Sequence, residues 1–213
     1  LGNPDVLNPP KRNKNVSPIR DIIDAREGQG DYDMIFGGWH NEGGQFADMK
    51  RVSSMSMTEL DQFTRRNDSR GYGIKVANTM KALPEGDPNR WAADRTAIST
   101  PLGRYQIVGN TLRRLRKKLN IPDDAIFTPE LQDRLFKTLL EERLSGETTV
   151  AGKRKALRHE WEGLRSRMVD GKERGTSDEE LDAAIAKFEE GGTEDLISIA
   201  TAEELRNPPE TFR

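Results

Sequence analysis

Three isoleucines at helical spacing do most to limit how this chain can begin its fold. In the stretch Ser17 to Gly38, SPIRDIIDAREGQGDYDMIFGG, Ile19, Ile22 and Ile23 fall at i, i+3 and i+4 and define one apolar helix face. Ser17 followed by Pro18 has the form of an N-cap with a first-turn proline, which places the helix start. Glu27 stands one turn beyond Ile23 and two beyond Ile19, so the same face carries it, whereas the other acids of the segment can all point to water. Gly28 and Gly30 then end the helix and open the backbone beside the carboxylate. A carboxyl against apolar neighbours has a raised pKa, as a general acid near neutral pH requires. The alternative is a surface glutamate at a frayed helix end.

The rest of the chain excludes several chemistries. It has no cysteine, which removes disulfides, thiol nucleophiles and thiolate metal sites. His40 and His159 are too few for a histidine-rich metal centre, so neither metal nor cofactor is called for. A net charge of −2 gives no global field toward nucleic acid, so any basic site is local. Hydrophobic and charged residues each make up 33% of the chain, which predicts a modest core with some extended or weakly packed segments. No run approaches the roughly 18 apolar residues of a membrane span. No secretory signal pattern is visible, and Leu1 in place of an initiator methionine is what a processed or cut piece would show.

Along the chain, residues 1–16 are rich in proline, asparagine and basic residues and read as an extended arm. Residues 31–37 allow a short hairpin, and Gly37 to Gly44 is a turn-like stretch with Trp39 half exposed. Trp39 either stacks on a sugar ring or packs on the core. Ser56 and Glu59 form a capping box, with Met55 and Leu60 as its hydrophobic staple, for a helix burying Leu60 and Phe63. Residues 74–83 predict a helix carrying Ile74, Ala77 and Met80 inward. Ser99 to Gln106 reads as a turn into a helix with Ile107, Leu112, Leu115 and Leu119 inside, and Arg113, Arg114, Arg116, Lys117 and Lys118 outside. That basic run is a solvated face or an attractor for an anionic polymer. Thr128-Pro129 opens a helix with Leu131, Leu135, Leu139 and Leu140 on its core side. Residues 151–168 predict a further helix with Leu157, Trp161, Leu164 and Met168 on one stripe. From 169 the chain turns polar; Ser177 and Glu180 cap a helix bearing Leu181, Ile185 and Phe188, and another short helix follows Gly191-Gly192. The organisation expected is an arm (1–16), a mainly α domain (17–168) and a helical appendage or linker (169–213).

Several pieces together resemble a known family. EG at 27–28, YDMIFGG at 32–38, the SMSMTELDQF helix start, STPLGRYQ at 99–106, IFTPELQDRLFKTLLEERL at 126–144 and EWEGL at 160–164 occur in an order similar to lambda-type phage endolysins. These are lysozyme-like lytic transglycosylases of peptidoglycan. The resemblance spans about residues 18–168 and implies a lysozyme-like α+β domain. It implies Glu27 as the single catalytic acid, Tyr32 and Asp33 as a loop beside the cleft, and Ser99, Thr100, Arg104, Tyr105 and Gln106 as the strip lining a sugar-binding groove. Two departures stand out: Pro101-Leu102 where the family has small residues, and a longer stretch between Gly38 and Ser99.

The implied activity is cleavage of the β-1,4 bond between N-acetylmuramic acid and N-acetylglucosamine, with glycan strands as partner and the bacterial cell wall or periplasm as the place of action. A hydrolase adds a second carboxylate about 5–9.5 Å away; a transglycosylase closes the muramic acid C6 hydroxyl onto its own anomeric carbon and needs one acid only. Asp31, Asp33 and Asp48 keep a hydrolytic muramidase open. A catalytically silent structural module of a virion or wall assembly is a reading of another class. Residues 1–16 and 169–213 favour contacts with other virion proteins, which also suits a virion-associated lysin. A nucleic-acid binder has only the 113–118 run behind it, without aromatic partners, and ranks last.

Overall fold

The structure, a computed structural model, describes residues 18–87, 90–96, 98–169 and 172–191. Ser17, the arm at 1–16 and the short helix expected after Gly192 lie outside the described residues. The fold is mainly helical: α1 (Pro18–Arg26), α2 (Met57–Phe63), α3 (Tyr72–Lys81), α4 (Gly109–Lys118), α5 (Pro129–Ser145), α6 (Val150–Glu160) and α7 (Asp178–Gly191). Two antiparallel hairpins interrupt it: β1 (Pro101–Leu102) with β2 (Ile107–Val108), and β3 (Arg167–Val169) with β4 (Lys172–Arg174).

Helix α5 forms the centre. Thr128 caps it through Leu131 N–H, Pro129 occupies its first turn, and Leu131, Leu135, Phe136, Leu139 and Leu140 are wholly buried. Helices α4 and α6 flank it, while α1 packs on α7 and on a 3-10 turn at Glu162–Leu164. Leu181, Ala184 and Ile185 of α7 join the same core as Ile19 and Ile23 of α1. Ser177 Oγ accepts from Glu180 N–H at the start of α7. The capping box of α2 is complete: Ser56 Oγ accepts from Glu59 N–H at 3.2 Å, and Glu59 Oε2 accepts from Ser56 N–H at 2.7 Å. Met55, Leu60 and Phe63 are buried beneath it.

Four expectations are corrected. No hairpin forms at 31–37; that stretch is a chain of turns whose Ile35 bridges to Leu102, and the hairpin lies at 101–108 instead. Ile107 is buried as expected, but from β2 rather than from a helix. Helix α3 starts at Tyr72, so its inner face is Tyr72, Val76 and Ala77, and Ile74 is 41% exposed. Helix α6 stops at Glu160, because Trp161 turns extended to bury its ring and donate Nε1–H to Tyr105 O; Met168 then lies in β3.

Loop 31–54 is laid against the first hairpin. Tyr72 Oη donates to Pro101 O at 2.6 Å and accepts from Phe36 N–H at 3.0 Å, and Gly103 N–H donates to Met34 O at 2.7 Å. Trp39 is half-buried and packs edge-on against Phe36 (5.1 Å between centroids) and Tyr72 (6.5 Å), so the loop tryptophan serves the core.

Candidate active site

The end of α1, the 103–106 turn and the Trp161–Leu164 segment meet at Glu27. Ile19 and Ile23 are wholly buried, and this anchors α1 so that Glu27 N–H still donates to Ile23 O at 2.9 Å. Glu27 is half-buried, and its Oε1 accepts from Gly163 N–H at 2.9 Å. No hydrogen bond from the described residues reaches Oε2. Burial pushes this carboxyl up to about 7; the Gly163 N–H pulls the other way, and the Glu162 carboxylate adds to the rise. The protonated acid therefore persists to near-neutral pH.

Gly28 explains why a glycine follows Glu27. A Cβ there would stand 2.0 Å from Arg104 O, so only a bare backbone lets the turn sit against the end of α1. Gly28→Ala is expected to cost about 3 kcal/mol of stability, because the clash is with backbone rather than a flexible side chain. Urea unfolding checks this.

Beneath Glu27 lies a polar network that sequence reading missed. Asp24 is 6% exposed rather than turned to water. Its carboxylate accepts from Arg104 Nε (2.8 Å), Arg104 Nη2 (2.5 Å) and Gly30 N–H (2.9 Å). Asp133 Oδ1 accepts from Tyr105 Oη (2.6 Å) and Tyr32 Oη (3.0 Å), and its Oδ2 pairs with Arg20 Nη2 at 2.7 Å. Arg104 Nη1 donates to Tyr32 Oη at 2.9 Å. Burial, with the Asp133 charge, pushes both tyrosine hydroxyls up, so both remain donors. Gln132 completes the frame, donating to Tyr32 O and Phe127 O and accepting from Arg104 N–H. A signal was present: Gln132 and Asp133 precede Phe136 by four and three residues on α5, so both lie near its buried face.

The structure thus joins Tyr32, Arg104 and Tyr105 in one network with Asp24 and Asp133, and the Arg104 backbone abuts Gly28, next to Glu27. Tyr105 is 1% exposed and supports the turn from within. Gln106, at φ 48, donates from Nε2 to Gly103 O and Met34 O, closing the turn onto the 31–38 loop. Ser99 and Thr100 sit at the other end of β1; Thr100 is buried, and its Oγ1 accepts from Gly109 N–H. Asp33 faces away, accepting from Ser53 N–H at 2.9 Å. Asp31 is held by Asp33 N–H and by His40 Nε2 (2.6 Å), and Asp48 is exposed. Among the described residues no group of His, Asp and Glu is placed to hold a metal ion, and no helix is long and apolar enough to cross a membrane. No family model, curated protein or solved structure matches this chain.

Proposed function

We propose that the chain is a peptidoglycan-cleaving lytic transglycosylase with Glu27 as acid and then base, acting in the bacterial cell wall and suited to a virion-associated lysin. The observation that carries this reading is the state of Glu27: one oxygen fixed by Gly163 N–H, the other left without a described partner, and a carboxyl raised to about 7. Protonated, it gives its proton to the glycosidic oxygen as the bond to the anomeric carbon breaks. Ionised, it takes the proton of the muramic acid C6 hydroxyl as that oxygen closes onto the same carbon. Proton and bond counts balance without water or a second carboxylate.

The engagement of Asp31 and Asp33, two of the three expected second carboxylates, favours this over hydrolysis, while the third, Asp48, is exposed. Asp31 and Asp33 hold the loop together, and Asp24 is locked on Arg104. Mass spectrometry of digested peptidoglycan should find 1,6-anhydromuramic ends; reducing ends would assign the attack to water. The first step needs the protonated acid, so cleavage of soluble strands should fall about tenfold per pH unit above pH 7. A rate that climbs from pH 7 to 9 would contradict Glu27 as the acid.

A further inference from the structure

Helices α2 and α4 face each other across an open cleft of about 530 Å3, lined by Arg65, Arg113, Arg116, Lys117 and Asn120 together with Asp61. It runs on through Arg113 into a second hollow of about 260 Å3, lined by Arg95, Ser99, Thr100 and Asn110. The two hollows hold five cationic side chains, and acids answer only part of this charge. Asp61 is shared between Arg65 (2.5 Å) and Arg113 (3.3 Å), and Asp123 pairs with Arg116. Lys117 is exposed and makes no ion pair among the described residues. By contrast, Arg114 and Lys118 on the far side of α4 are both taken by Glu142. The surplus positive charge of the helix is therefore concentrated on the side toward α2.

This cleft is close to the site. Thr100 lines the second hollow, and the four Cα steps from Thr100 to Arg104 span at most about 14 Å. Arg104 O in turn abuts Gly28, next to Glu27. A polymer cut at Glu27 can therefore lay its neighbouring segment along α4. Among the described residues no aromatic ring lines either hollow, so bases have nothing there to stack on. Guanidinium forks suit planar carboxylates, and each muramic acid carries a peptide stem whose carboxylates sit beside the strand.

We propose that the α2–α4 cleft docks the carboxylates of peptidoglycan stem peptides, an inference that rests on Glu27 cutting the glycan strand. The cleft makes the enzyme prefer strands that still carry stems, and it holds them by salt-sensitive contacts. The test uses the full chain carrying Glu27→Gln, which leaves the polymer intact, in sedimentation binding. The ligands are purified peptidoglycan, strands freed of stems by an amidase, and wall material freed of phosphate polymers.

Stem-bearing strands should bind about tenfold tighter than stem-free ones at low salt, irrespective of phosphate polymers. Adding Arg65→Gln and Lys117→Glu should remove that advantage and flatten its salt dependence; Lys117→Glu alone, which leaves Asp61 paired, should remove part of it. Equal binding with and without stems, loss only on phosphate removal, tighter binding to duplex DNA, or no binding at all would overturn the proposal. Cleavage by the unmutated chain is read in parallel. Stem-dependent binding without cleavage overturns the catalytic reading alone, and cleavage without stem dependence overturns the cleft alone.

Discussion

Glu27→Gln should lower glycan cleavage by about 10³-fold and, above neutral pH, make the protein more stable. The first effect is the loss of the proton donor, since positioned general acids contribute about 10²–10⁴-fold. The second follows from linkage. Burial raises the Glu27 pKa from 4.5 in the open chain to about 7 in the fold, so the folded state disfavours the charged form. Below pH 4.5 the acid is protonated in both states and costs nothing. As pH rises from there through 7, the penalty grows, and above 7 it is complete at about 3 kcal/mol. Glutamine keeps a carbonyl oxygen for Gly163 N–H and never charges. The variant should therefore match the wild type at pH 4 and melt roughly 5–10 °C higher at pH 8. Paired thermal scans at the two pH values, beside the cleavage assay, read both effects. Equal melting at pH 8 would mean the carboxyl is not held in its buried setting, and unaltered turnover would remove Glu27 from the chemistry. A fold that gives up stability to keep this acid is what a working site requires.

How far the sequence discloses this arrangement depends on how local each signal is. Helix α2 is legible because Ser56 and Glu59 satisfy each other's backbone within one turn. Helix α5 is legible because Thr128, Pro129 and a long leucine pattern agree. Glu27 is legible because Ile19 and Ile23 put it on a buried face. The first hairpin is not, since two-residue strands are too short to show alternation. The end of α6 is hidden for another reason: Trp161 leaves the helix to reach Tyr105 O, a partner 56 positions away. The same holds for Asp24. Its place on α1 looks solvent-facing until Arg104 arrives from a hairpin 80 positions later. Buried charge on an otherwise ordinary helix shows in the sequence only when its partner is known.

That buried network carries the other large effect. Asp133→Ala should destabilise the fold by about 3–5 kcal/mol, because it strands the Arg20 guanidinium and leaves two tyrosine hydroxyls without their shared acceptor. Tyr105→Phe removes one donor and should cost only about 1 kcal/mol. If the network mattered for stability alone, replacing both ends of the ion pair with apolar groups, Arg20→Met with Asp133→Leu, would recover most of the loss and full activity with it. The geometry argues otherwise. Arg20 and Asp24 lie on α1 one turn apart, and through Asp133, Tyr32 and Arg104 they fix α1 relative to the turn that abuts Gly28. The double variant should therefore regain folding, measured by urea titration, while kcat stays at least about tenfold down, since a site loosened by a fraction of an ångström loses its alignment. Recovery of stability and kcat together would reduce the network to scaffolding. Recovery of stability alone makes it the frame that aims Glu27.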